Sequence, residues 1–178
     1  MVENLFDLME QGKKRIAIFD FDGTLFKSPQ KPDWWPEKQW WHNPDSLNPP
    51  CVPKKPDQSW WNTRLVGLAK RRIADPDVHT ILLTGRWSSL FTPRVRELLK
   101  QQGLTFDEVL LSTQAKTLPF KTEVLKRLLK HGLQSVEVWD DHPTYTRTFQ
   151  SIFDKAGVPF SIKNTKTVTR EPACRAEA

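Results

Sequence analysis

Five short apolar runs divide this chain, and the last four are separated by amphipathic stretches of helix length. The runs lie at 15–19 (RIAIF), 79–83 (HTILL), 108–111 (EVLL), 135–139 (SVEVW) and 158–162 (VPFSI). Apolar runs this short suit strands buried on both faces. Helical patterns fill 62–72, 88–102, 119–131 and 144–156. The last three stop at Gly103, Gly132 and Gly157, the residue type that best ends a helix. Pro119 belongs in a first turn, and Pro93 moves the expected start of its helix to Thr92. Strands alternating with helices pair in parallel through right-handed crossovers. The fold class is therefore α/β, a doubly wound sheet between two helical layers.

One stretch breaks the alternation. Eight of the fourteen prolines fall within 27–59, and six of the eight tryptophans arrive in pairs at 34–35, 40–41 and 60–61. Neither helix nor strand survives that proline density for long. Residues 27–62 are expected as an irregular insertion whose rings either form a satellite core or line a substrate groove. The expected organisation is a single domain over 1–162 carrying this insertion, followed by a polar, mobile tail at 163–178. A chain of 178 residues buries enough apolar surface to fold without a disulfide or structural metal.

The chemistry concentrates directly after the first run, in FDFDGTLF at 19–26. Asp20 and Asp22 leave the end of a buried strand, where ligands bind in open α/β sheets. Unpaired, the two carboxylates repel one another, and a hard divalent cation such as Mg²⁺ resolves the conflict. Gly23 permits the tight turn. A second acidic pair, Asp140 and Asp141, follows the fourth run. Four uncompensated acids at one sheet edge call for a bound metal. Thr84 and Gly85, in LLTGR, offer a hydroxyl and a backbone N–H to phosphate oxygens. Lys121 sits at a helix start, where a cation opposes the dipole unless it faces anions.

DFDGT, LLTGR, Lys121 and WDD, in this order, resemble the haloacid dehalogenase-like (HAD) phosphohydrolase superfamily. The longer string LFKSPQKPDWW, WWHNPDSL, WWN, KTLPFK and VWDDHPTYTRTF looks like the HAD domain family of Swiss Army Knife RNA repair proteins. That family carries Glu-Asp-Arg after its fourth strand, where this chain has Asp140, Asp141 and His142. The resemblance implies a three-layer Rossmann-like fold with strand order 5-4-1-2-3 and no large folded cap. It implies Asp20 as nucleophile, Asp22 as acid and base, and Thr84, Gly85 and Lys121 as phosphate-holding groups. Mg²⁺ is expected on Asp20, the Asp22 carbonyl, Asp140 and Asp141, with Asp141 the favoured direct ligand. The implied activity is a phosphatase using an aspartyl-phosphate. Its expected substrate is a phosphorylated RNA or DNA end, the alternatives being a small metabolite or nucleotide, or phosphate-end binding without turnover.

Charge agrees with an anionic partner. The net charge is +6, and 64–131 holds thirteen Lys or Arg against six Asp or Glu. Cys51 and Cys174 lie far apart without metal-ligand spacing, so reduced thiols are expected rather than a disulfide scaffold or a zinc site. The N-terminal stretch has acids before its bases and no apolar core, and no segment reaches membrane-spanning length. These features predict a cytoplasmic or nuclear protein rather than a secreted one.

Overall fold

The computed structural model describes residues 15–36 and 38–174. The reading of the N-terminal stretch as lacking a leader falls outside them. Five strands form one parallel sheet in the order β3-β2-β1-β4-β5. They are β1 (Arg15–Phe19), β2 (Val78–Trp87), β3 (Glu108–Ser112), β4 (Ser135–Asp140) and β5 (Phe160–Asn164). The helices are α1 (Thr63–Ala74), α2 (Ser88–Gln102), α3 (Thr117–Leu129) and α4 (Pro143–Ala156). The order matches the expected one, and among the described residues no large cap interrupts it.

The period of two along β1 explains the layering. Ala17 and Phe19 join one core cluster with Leu65, Val66, Val95 and Leu98 of α1 and α2. Ile16 and Ile18 join the other, with Val124, Leu125 and Leu128 of α3 and Phe149 and Phe153 of α4. Successive side chains of a strand point to opposite faces, so one central strand serves two helical layers. Its C-terminal end is flanked by β2 and β4, whose ends bring Gly85 and Asp140 beside Asp20.

Several boundaries differ from expectation. Strand β2 runs on through Trp87, so the TGR triplet lies within the strand rather than after it. Helix α2 begins at Ser88 and keeps Pro93 inside. Pro93 removes the N–H that Ser89 O would accept, and Ser89 is exposed, so water can take that place.

Among its described residues the insertion forms short 3-10 turns at Trp40–His42, Pro44–Ser46 and Gln58–Trp60 and no longer helix. The rings divide: Trp40 packs in a small satellite cluster with Cys51 and Cys174, and Trp60 and Trp61 join the main core. Trp40, Trp60 and Trp61 are buried, whereas Trp34 and Trp41 are 42% and 44% exposed. Arg94 of α2 anchors the insertion by donating to the carbonyls of Leu47, Pro53 and Lys54 at 2.8, 2.8 and 3.0 Å.

Two expectations are corrected at the C-terminus. The segment after β5, expected to be mobile, is docked as far as Cys174, with 175–178 outside the described residues. Its N–H groups donate to core carbonyls: Thr165 to Asp140 (3.0 Å), Val168 to Gly23 (2.9 Å) and Ala173 to Cys51 (2.8 Å). Backbone pairing holds a segment that has no apolar periodicity to announce it. The two cysteines, expected as separate reduced thiols, are paired as a Cys51–Cys174 disulfide across 123 residues. The docked segment brings them together. Among the described residues no helix is long and apolar enough to cross a membrane.

Candidate active site

Asp20 leaves β1 with its N–H donating to Trp139 O at 2.9 Å, which fixes it beside the end of β4. The chain then turns at once. The N–H groups of Leu25 and Phe26 both reach Phe21 O, at 3.1 and 3.0 Å. Gly23 adopts a φ of +72°. A Cβ there would also lie 2.6 Å from Asp141 Oδ2, so glycine is required by conformation and by space.

This turn gathers three carboxylates. Asp20, Asp140 and Asp141 each present an oxygen within 4.8 Å of the others. Lys121, in the second turn of α3 and 2% exposed, donates to Asp20 Oδ1 at 3.0 Å and Asp140 Oδ2 at 2.7 Å. The second oxygen of Asp20 accepts from Thr24 Oγ1 at 2.9 Å. Asp140 Oδ1 accepts from His142 N at 2.9 Å, so both its oxygens are engaged. Asp141 Oδ2 accepts from Thr167 Oγ1 at 2.8 Å. Burial, together with Asp140 and Asp141, holds the Asp20 carboxyl well above the usual range, with Lys121 opposing the rise. Burial alone would lower Lys121, but Asp20 and Asp140 raise it, so it stays charged. Three carboxylates against one ammonium leave a deficit of positive charge, and an all-oxygen donor set fits a hard divalent cation.

Asp22 stands apart from that cluster. Its carboxylate is gripped by Arg86, with Nη2 at 2.8 Å and Nε at 3.0 and 3.1 Å, and accepts from Ser28 Oγ at 2.5 Å. Burial pushes Asp22 up, but the Arg86 charge and these hydrogen bonds bring it below the usual carboxylate range. Arg86 is held in turn by Ser46 Oγ at 2.5 Å and lies against the Trp41 and Phe91 rings, 5.1 and 4.6 Å from their centroids.

A cavity of about 380 Å³ opens over these groups. Asp20, Asp22, Gly85, Lys121, Asp140 and Asp141 all line it. Thr84 does not: it is fully buried, and its hydroxyl oxygen accepts from Arg86 N at 3.2 Å. Gly85 is pressed against α3, where a Cβ would fall 2.6 Å from Thr117 Cγ2. Rings flank the mouth, Trp41 and His42 from the insertion and the stacked His142 and Tyr145 from the start of α4.

The family described as HAD domain family 1 in Swiss Army Knife RNA repair proteins matches residues 21–175. The chain belongs to that family. An uncharacterized protein of Saccharomyces cerevisiae is 26% identical over 184 residues, 86% of this chain. The chain spans 40% of that relative's length. The HAD domain of the effector protein Lem4 from Legionella pneumophila, solved as an inactive mutant, shares the fold. Its TM-score is 0.56 with 12% identity, over 86% of each chain. A HAD-superfamily hydrolase from Geobacter sulfurreducens gives 0.45 with 16% identity, over 90% of each.

Among the cavity residues that sequence reasoning missed are Arg86, Ser28 and Thr167. Arg86 was visible as the last letter of LLTGR, a cation beside four acids. Ser28 carried no signal within the proline-rich stretch. Thr167 carried none in a polar segment.

Proposed function

We propose that this HAD domain is a Mg²⁺-dependent phosphomonoesterase that removes terminal phosphates from nucleic acid, RNA foremost. The observation that carries the reading is the pairing of two unlike aspartates in one cavity. Asp20 lies in the three-carboxylate cluster with Lys121, and Asp22 is held apart by Arg86. Their different partners assign them different roles: Asp20 faces the carboxylate cluster that would hold a cation and so serves as the ionised nucleophile, while Asp22 stands outside that cluster.

Mg²⁺ would be held by the Asp20 and Asp141 carboxylates and the Asp22 backbone carbonyl. Asp140, the closer of the two acceptors of Lys121 at 2.7 Å, would support the site through that lysine. When bound, the ion supplies positive charge to the transferring phosphoryl oxygens. An Asp20 oxygen attacks phosphorus in line, forming a P–O bond as the bond to the leaving oxygen breaks. Asp22 gives that oxygen a proton. The Asp22 carboxylate then takes a proton from water, whose oxygen attacks the same phosphorus, releasing phosphate and restoring Asp20. Lys121 and the Gly85 N–H hold phosphoryl oxygens. Thr84, buried beneath the cavity, would act by holding the Arg86 backbone N–H and so the end of β2.

The nucleic-acid substrate is supported by the family description and by rings at the cavity mouth, since bases stack on exposed aromatics. A small phosphorylated metabolite is the second reading. It is favoured by Thr167 and Thr169, which close one side of the cavity. Phosphate release with Mg²⁺ separates them, measured on an aryl phosphate, mononucleotides, and RNA and DNA oligonucleotides phosphorylated at either end. Preference for one oligonucleotide end supports the first reading; turnover of small phosphates alone supports the second.

Arg86 makes a sharper prediction. A proton donor works only while protonated, so turnover falls as pH rises through the Asp22 value. Arg86 holds that value low and places the falling limb on the acid side. Arg86→Gln is expected to move the alkaline limb of kcat to higher pH while raising KM. A limb that stays in place would show that Asp22 is not the donor.

A further inference from the structure

A second depression, of about 730 Å³, lies between α3 and α4. It is lined by sequence neighbours of residues that line the active-site cavity. Thr117 and Lys121 of α3 and Tyr145 of α4 line the cavity, while Leu118, Pro119 and Thr144 line the groove. The two therefore share the starts of both helices. From Thr144 to Lys155 the groove follows α4 for eleven residues, about 16 Å at 1.5 Å per residue. That length accommodates about three or four nucleotides at 3.4 Å or more each.

Its charge is of one sign. Lys126, Arg147 and Lys155 line it, and no Asp or Glu does. All three are exposed. Arg127, next along α3, pairs with Glu123 at 2.5 Å, whereas among the described residues Lys126, Arg147 and Lys155 make no ion pair. The hydroxyls of Thr122 and Thr148 donate to the carbonyls of Pro119 and Thr144, both at 3.0 Å. The cations, not those hydroxyls, therefore supply the attraction. Leu118 and Ile152 add an apolar floor. Three exposed cations beside the helix starts that line a phosphate-handling cavity match a ligand with one reacting phosphate and further phosphates behind it.

We propose that the groove between α3 and α4 is the track for the polynucleotide backbone behind the reacting end, held by Lys126, Arg147 and Lys155. This deepens the reading of the site as an end-processing phosphatase and rests on it. The test separates the two. A labelled single-stranded RNA decamer with a terminal phosphate is titrated against the full chain carrying Asp20→Asn, across a range of salt. Adding K126E/R147E/K155E is expected to weaken binding at least tenfold. The slope of log affinity against log salt should shrink by about two, at about 0.7 per lost phosphate contact. In the otherwise unaltered chain the same triple should keep aryl-phosphate turnover within twofold. K70E/K100E, on the α1 and α2 face, should leave binding unchanged. The groove assignment fails if the parent does not bind the decamer or the triple binds as tightly as the parent. It also fails if both charge-reversal sets weaken binding equally, if aryl-phosphate turnover falls as far as affinity, or if a poly-glutamate peptide competes as well as RNA. No phosphate release by the unaltered chain, with decamer binding intact, would instead overturn the phosphatase reading.

Discussion

Asp20→Asn is expected to lower phosphate release by at least about 10⁴-fold while leaving the fold intact, because a nucleophile's loss removes the covalent route altogether. The geometry explains why stability should not suffer. Asp20 is crowded by Asp140 and Asp141, and its carboxyl is held well above the usual range. Removing its charge relieves that crowding, and Lys121 keeps Asp140 at 2.7 Å. Thermal unfolding should occur at the same temperature or higher. Acid-quenched mass spectrometry should find a phosphoryl group on Asp20 in the unaltered protein and none in the variant. Turnover that survives Asp20→Asn but disappears in Asp22→Asn would reverse the two roles.

What the sequence disclosed and what it hid divide along physical lines. Asp20, Asp22 and Gly23 were legible because the signal is local: a buried run ends and a turn with two acids begins. Lys121 and the Asp140–Asp141 pair were legible because each lies at the start or end of an element with a clear period. The sheet followed from the same periods. The tryptophan pairs were ambiguous because adjacent residues of a 3-10 turn point about 120° apart. Within one such turn Trp40 is buried and Trp41 exposed at the cavity mouth. The docked C-terminal segment and the Cys51–Cys174 pair were illegible for a different reason. Their partners lie far away in sequence, and backbone N–H groups, which every residue but proline has, make most of the attachment. Thr167, which reaches Asp141, arrives by that route. Arg86 lay between the two cases: its letter stood in the motif, but only the long β2 shows it turned onto Asp22.

Lys121→Met should have the largest effect on stability. Methionine fills much of the same volume, so the change isolates charge. Lys121 Nζ is the shared donor to Asp20 and Asp140, and both carboxylates are buried. Removing one partner of a buried ion pair typically costs about 3–5 kcal/mol, because the other charge is left without compensation. For a domain of this size each kcal/mol corresponds to roughly 2–4 °C, so the midpoint should fall by on the order of 10 °C. Turnover should fall as well, by about 10²–10³-fold, the usual effect of deleting one donor to a developing anion. Whether the loss arises from unpaired charge is testable by subtraction. Adding Asp140→Asn to Lys121→Met removes one orphaned carboxylate and should recover several degrees without restoring turnover. If the double variant melts no higher than the single one, the buried charges are not what Lys121 compensates, and its contribution lies in packing beneath α3.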